Sequence, residues 1–184
     1  AFYYPYPDYK FPTTIYSDEY MPKKGELSNN LRNFDRDRVL LFDEKQVFDQ
    51  VIEEGEFPLF SNSYLLLIGK KPQTVYAKFS NDRAKAWAIR TLTHKSAAGT
   101  FLGEKQPNDK EANAHIVHTY QAYEALSKRY EGTKIRMNEC KRTPQSIVFP
   151  FCPGKTLEEL LDERLDEQDA EGFRKLIEEY MYWL

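Results

Sequence analysis

The chain has 184 residues, of which 41% are hydrophobic and 30% charged, a composition that predicts one folded domain or parts of two. Its formal net charge of −3 argues against attraction to a nucleic acid backbone or an anionic membrane through overall charge. No apolar stretch reaches the roughly 18 residues of a membrane-spanning helix, and the first residues lack the features of a signal peptide, so we expect a cytoplasmic protein with no membrane span and no nucleic acid partner.

The amino-terminal third predicts irregular chain followed by short elements. Residues 1–38 are rich in Tyr, Pro, Asp and Asn, and their spaced prolines predict extended chain and loop. An apolar period with Asp43 as N-cap predicts a helix over 43–54. The continuous apolar run from Tyr64 to Ile68 predicts a buried strand, and residues 69–72 form a linker.

From residue 74 onward the pattern becomes regular. Three antiparallel strands are predicted in TVYAKFS, KAWAIRTLTHK and TFLGEKQP, and apolar and polar residues alternate in the first two. A long amphipathic helix over 109–130 follows, with Asn108 or Asp109 as its cap, and then a strand pair in KIRMNECKR and QSIVFPFC. Two helices end the chain, the first opened by a capping box at Thr156 and Glu159. The predicted fold is therefore α+β, with an antiparallel sheet of about five strands and a long packed helix, preceded by an extended and helical segment ending in a strand.

This order of elements resembles the small lobe of protein kinases and of the aminoglycoside and choline kinase-like phosphotransferases. In that family a lysine on the third strand holds the ATP phosphates, and a glutamate of the following helix orients the lysine. The resemblance implies Lys105 and Glu111 as this catalytic pair, since only three residues separate Lys105 from Asp109. Lys78 and Glu124 are the alternatives. A further alternative is that both lysines are ordinary solvated strand residues.

The resemblance also implies where ATP and magnesium would bind. The turn between the first two strands, with Asn81, Asp82 and Arg83, corresponds to the loop that covers the phosphates, although it contains no glycine. The segment from Phe149 through Phe151 to Cys152 corresponds to the hinge whose backbone reads the adenine edge. The catalytic loop and the metal-binding aspartate of such kinases belong to a large lobe downstream, so we expect this chain alone to be inactive.

The first seventy residues resemble a different family. The strings FYYPYPDYKFPTTIYSDEY and LIEEGEFPLFSNSYLLLIGK are similar to the carboxyl end of class I methyltransferases, in bacterial proteins of surface-polysaccharide synthesis that carry a kinase-like domain. This implies a methyltransferase end over 1–70, a kinase-like small lobe over 71–154 and the start of a helical lobe over 155–184. The S-adenosylmethionine site would lie outside this chain. The expected partners are the remainder of the same protein and polysaccharide-assembly proteins.

The chain ends also lead us to expect a fragment of a longer protein. Residue 1 is not a methionine, and the last residues, FRKLIEEYMYWL, are still amphipathic.

Three other interpretations are weaker. The glycine-free turn is compatible with a non-catalytic module that docks a glycosyltransferase or a chain-length partner. Asp35 and Asp37 imitate the metal clamp of a glycosyltransferase, but the flanking arginines favour a solvated turn. His115 and His118 share a helix face without a third ligand nearby in sequence, so no metal site is predicted.

Overall fold

The computed structural model describes residues 1–27 and 44–183, which form an α+β fold. The described part contains one eight-stranded antiparallel sheet with the strand order β3-β1-β2-β4-β5-β6-β8-β7. Its strands are β1 (Phe2–Tyr6), β2 (Thr14–Ser17), β3 (Leu65–Leu66), β4 (Thr74–Phe79), β5 (Ile89–Lys95), β6 (Phe101–Pro107), β7 (Lys141–Arg142) and β8 (Ile147–Pro150). Its helices are α1 (Glu44–Glu53), α2 (Phe57–Phe60), α3 (Asn113–Arg129), α4 (Leu157–Asp166) and α5 (Ala170–Trp183).

The sheet has more strands than the expected five, because the amino-terminal region contributes three. Residues predicted as extended chain and loop form β1 and β2, which pair with each other, and β2 pairs with β4. Pro5 is compatible with an inner strand because β3 pairs only with Phe2 and Tyr3, so no partner is present where the proline lacks its N–H group. The sheet is continuous across the predicted domain boundary between residues 70 and 71.

Three predicted strands have different limits or surroundings in the structure. The run Tyr64–Ile68 was predicted to be buried, but its strand lies at the sheet edge and its side chains are exposed. The strand predicted from residue 85 begins at Ile89, because residues 85–87 form a 3₁₀ turn. The strand predicted over 134–142 is reduced to Lys141–Arg142.

Strand register identifies the face of the sheet on which α3 lies. Residues directly opposite each other in an antiparallel pair point to the same face, and one such row contains Lys78, Thr91, Lys105 and Ile147. Ile147 packs against Ile116 of α3, so this row lies on the face that α3 covers. We call it the helix face.

Two apolar clusters cover the helix face. The larger one joins β1 and β2 to α1 and α2, and its buried residues are Tyr4, Tyr6, Tyr16, Leu27 and Phe57. The smaller one consists of Ile89, Ile116 and Ile147, with Tyr120 and Cys140 packed against it. This small cluster attaches α3 to the sheet, and Ile116 is the buried residue of that helix.

The predicted helix starts are confirmed where the structure describes them. Asp109 accepts a hydrogen bond from the Glu111 N–H group and caps a 3₁₀ turn at 110–112 that leads into α3. Thr156 and Glu159 form the predicted capping box of α4. The predicted cap Asp43 and the pair Asp35 and Asp37 lie outside the described residues.

None of the described helices is both long and apolar enough to cross a membrane.

Candidate functional site

Lys105 lies on the helix face near the start of α3. It is half-buried on β6, whereas the alternative Lys78, two strands away in the same row, is exposed. Both lysines therefore point to the helix face, and burial rather than orientation distinguishes them. Lys105 is the lysine beside α3, as the resemblance implies.

Phe149 forms one wall around Lys105. The Lys105 Nζ lies 5.8 Å from the centre of the Phe149 ring, within the range of a cation–π contact. Phe149 is directly opposite Gly103 on β6, and a Cβ atom at Gly103 would meet the ring at 2.7 Å from Cζ and 2.9 Å from Cδ2. The missing side chain of Gly103 is therefore what lets this ring lie flat over the strand beside the lysine.

His115 contributes a second polar group to this region. Burial and the positive charges of Arg83 and Lys105 lower the pKa of His115, and His118 acts in the same direction. The imidazole is therefore neutral near pH 7. Its Nδ1 atom is buried without a hydrogen-bond partner among the described residues, and its ring lies 5.1 Å from that of Trp87 in an edge arrangement.

The electrostatics of His115 identify a group of positive charges at the junction of β6, α3 and the β4–β5 turn. Sequence reasoning considered His115 only as a metal ligand and did not associate it with Lys105. The signal was available in part, because Ile116 marks the buried stripe of the helix and His115 is its neighbour. The proximity of His115 to Arg83 could not be predicted, because the two residues are far apart in sequence.

Neither candidate glutamate is paired with Lys105. No ion pair or hydrogen bond links Lys105 to Glu111 within the described ranges. Glu111 is exposed in the 3₁₀ turn, where its backbone N–H donates to Asp109 Oδ1 at 2.9 Å. Glu124 lies farther along α3, where the negative charge of its carboxylate raises the pKa of Tyr120. The predicted lysine–glutamate pair therefore stays a prediction for a ligand-bound form.

The turn with Asn81, Asp82 and Arg83 is exposed but anchored. The Asn81 Nδ2 donates to the Pro12 carbonyl oxygen at 3.0 Å, and Ser80 N–H bonds to the Ile89 carbonyl at 3.0 Å. This ties the turn to the chain before β2. The Arg83 side chain contributes positive charge toward His115, while Asp82 is exposed.

The candidate hinge has one part inside the sheet and one part outside it. Phe149 belongs to β8, and the Phe151 N–H donates to the Phe101 carbonyl at 3.1 Å. Cys152 is exposed, and its backbone makes no hydrogen bond to any residue that the structure describes. The amide and carbonyl of Cys152 are therefore available to a planar heterocycle with adjacent donor and acceptor groups.

The histidines do not lie in a metal cluster. Across residues 1–27 and 44–183, no group of three or more His, Cys, Asp or Glu side chains could hold a metal ion. Cys140 is half-buried near Lys105, and burial raises the pKa of its thiol although the lysine charge opposes this effect. The thiol is therefore protonated near pH 7 and is a poor nucleophile.

Comparisons with protein-family models, with curated proteins and with solved structures find no match to this chain.

Proposed function

We propose that residues 71–154 are the nucleotide-binding small lobe of a kinase-like domain, within a cytoplasmic transferase of bacterial surface-polysaccharide synthesis. ATP with magnesium is the proposed cofactor, and S-adenosylmethionine would bind a methyltransferase domain outside this chain. The observation that supports the proposal best is Lys105, a half-buried strand lysine on the helix face with no carboxylate partner among the described residues. The element order from β4 to α4, which is the order the resemblance implies, supports it as well.

The arrangement of charges fits a polyphosphate. Burial lowers the pKa of His115, and the positive charges of Arg83 and Lys105 lower it further, so both cations act on this junction. In phosphoryl transfer, catalysis consists of positioning and neutralising the phosphate oxygens, which is what such cations do. The unpaired backbone of Cys152, at the end of β8, would receive the adenine edge. The side chains of Lys105 and Arg83 would bind the nucleotide. The phosphoryl-transfer step itself would need residues of a large lobe.

The proposal is tested by ATP binding to the 184-residue chain. We expect Mg·ATP to bind in isothermal titration calorimetry and the Lys105→Ala variant to bind at least about tenfold more weakly, about 1.4 kcal/mol in binding free energy. Lys110→Ala is the matched control, because Lys110 is exposed in the adjacent 3₁₀ turn and its removal changes the net charge equally. Lys78→Ala tests the alternative lysine.

The stability of these variants separates a ligand-binding lysine from a structural one. Lys105 has no ion pair to lose within the described residues, so its removal should change the free energy of unfolding by about 0–1 kcal/mol. Absence of Mg·ATP binding, or equal binding by the Lys105→Ala and Lys110→Ala variants, would contradict the proposal.

A second candidate function is a non-catalytic docking module. It is favoured by the β4–β5 turn, which contains no glycine and is tied through Asn81 to the Pro12 carbonyl, so it is not free to close over phosphates. If this is the function, Asn81→Ala should leave the chain unable to bind Mg·ATP, and a polysaccharide-assembly partner should still bind. Gain of Mg·ATP binding on release of the turn would favour the kinase-like function instead.

A further inference from the structure

The edge strand β3 carries an uncovered apolar surface on both faces. Each residue from Tyr64 to Ile68 is at least 40% exposed, and Ile68 reaches 93%. Alternate side chains of a strand point to opposite faces, so both faces of this segment are largely exposed. A continuous apolar run is typical of a strand inside a sheet rather than of a strand at its edge.

The outer backbone of the same segment is also unpaired. Leu67 exchanges both hydrogen bonds with Ala1, with the Leu67 N–H donating at 3.0 Å and the Ala1 amino group donating to the Leu67 carbonyl at 2.8 Å. Backbone bonds of an antiparallel strand alternate between its two sides, so the N–H and C=O groups of Leu66 point away from β1. If the alternation continues beyond β3, the backbone groups of Tyr64 and Ile68 point the same way, and neither residue has a backbone hydrogen bond to the described turns and loops.

We propose that a second copy of this chain covers this edge, with the segments Tyr64–Ile68 of the two copies paired antiparallel about a twofold axis at Leu66. In this register Leu66 is opposite itself, Leu65 is opposite Leu67, and Tyr64 is opposite Ile68. Every cross-strand pair is apolar, and an aromatic residue opposite a β-branched residue is a favourable combination. The outward N–H and C=O groups of Leu66, Tyr64 and Ile68 would form the backbone hydrogen bonds between the two copies. A self-complementary strand is what a twofold interface requires.

Charge distinguishes this edge from the opposite one. Residues 61–69 contain no charged side chain, and Lys70 and Lys71 would lie opposite Asn62 and Ser61, so no like charges meet. The strand at the other edge, β7, consists of Lys141 and Arg142, both exposed. Short, basic edge strands resist pairing with another chain. The sheet therefore protects one edge and leaves the other suited to association.

The exposed apolar surface at this edge is comparable in size with the surface that one partner buries in a stable interface. Phe2 pairs with Leu66 and lies on the same face, and Leu59 and Phe60 of α2 adjoin it, since the Tyr64 hydroxyl donates to the Pro58 carbonyl at 2.7 Å. With the five strand residues, these large side chains are about half exposed on average. They present on the order of 900 Å² of apolar surface, at roughly 200 Å² for each full side chain. A stable interface needs about 800 Å² from each partner.

The oligomeric state of the 184-residue chain tests this proposal. Sedimentation over a concentration series should show a dimer, and Leu66→Lys should raise its dissociation constant at least about a hundredfold, because two ammonium groups would face each other at the axis. Leu102→Lys is the matched control, since Leu102 is a similarly exposed leucine on the inner strand β6 and should not affect the dimer. Circular dichroism should show both variants folded.

Cysteine cross-linking tests the register independently of stability. In a background with Cys140→Ser and Cys152→Ser, Leu66→Cys should form an intermolecular disulfide, because opposite Cα atoms of a hydrogen-bonded pair are about 5.5 Å apart. Ile68→Cys should not, since it would lie opposite Tyr64. A monomer at all concentrations, a dimer that survives Leu66→Lys, or equal cross-linking at both positions would overturn the proposal. Open-ended aggregates in place of a dimer would also overturn it.

Discussion

Gly103 is expected to be intolerant of even one added methyl group. Its position on β6 is directly opposite Phe149, and an added Cβ would overlap the aromatic ring, with Cζ at 2.7 Å and Cδ2 at 2.9 Å. Distances below 3.0 Å are not maintained between such atoms, so the ring must move. The Lys105 Nζ, 5.8 Å from the ring centre, would lose its aromatic neighbour.

The sign of the effect follows from two opposed contributions. Overpacking costs about 1–3 kcal/mol. Replacing glycine by alanine in a strand, in the absence of a clash, stabilises the protein by about 0.5–1 kcal/mol. Gly103→Ala should therefore lower the free energy of unfolding by a net amount of about 0.5–2 kcal/mol. In a chain that already carries Phe149→Ala, the overlap is gone, and the same change should be neutral or stabilising.

Urea unfolding of the four proteins in this cycle, followed by circular dichroism, measures the coupling between the two positions. We expect a coupling energy of about 1–3 kcal/mol, since the clash exists only when Gly103→Ala and Phe149 are both present. Equal destabilisation by Gly103→Ala in both backgrounds would show that the ring is not what requires glycine here.

Three other changes have expected outcomes. Ile147→Ala should lower the free energy of unfolding by about 2–5 kcal/mol and speed amide hydrogen exchange in α3, because Ile147 is 2% exposed in the small cluster that holds this helix. Val148→Ala, on the opposite face of the sheet, should lower the free energy of unfolding by a smaller amount. Burial alone would raise the pKa of Glu104, but hydrogen bonds from Gln106, Ser146 and His94 hold this pKa below the ordinary value of 4.5. The ionised carboxylate therefore stabilises the fold above pH 4.5, and this stabilisation is lost as the pH falls through the lower pKa of the folded state. Urea midpoints should decline less between pH 5 and pH 3 in Glu104→Gln than in the original chain. Thr156→Ala should cost about 0.5–2 kcal/mol through loss of the cap of α4, seen as reduced helicity of that segment by NMR, and a helix population that stays unchanged would contradict this.

The elements that could be predicted from the sequence are those whose signals are local. Alternation of apolar and polar residues located β4 and β5, and the capping residues Asp109 and Thr156 located two helix starts. Each of these signals depends on residues within a few positions of one another, so no knowledge of distant contacts is needed.

The elements that were missed depend on partners far away in sequence. β1 contains a proline and a run of tyrosines, which on local grounds favour loop, and it becomes a strand because β2 and β3 supply its ladder. Two of its tyrosines, Tyr4 and Tyr6, are buried by Phe57 and by α1, more than forty positions away. The run Tyr64–Ile68 shows the converse error, because an apolar run does not reveal whether it lies in the middle of a sheet or at its edge.

In the candidate site, too, only the part that depends on local sequence order could be predicted. The position of Lys105 beside α3 followed from element order, whereas His115 and Arg83 are brought to it by the β4–β5 turn and by the docking of α3 through Ile116.

Among the described residues no carboxylate pairs with Lys105, and this arrangement is compatible with the anionic ligand proposed above. Half-buried cations usually find an internal acid, because removing a charge from water is costly unless it is paired. Within the described residues, Lys105 has an aromatic ring and the neutral His115 as neighbours, while Glu111 is exposed and not joined to it. A phosphate group would supply a negative charge beside the Lys105 ammonium group and would accept a hydrogen bond from it. If instead Glu111 moves to Lys105 when a ligand binds, the same lysine becomes paired, and the region gains the arrangement that the kinase-like resemblance implies.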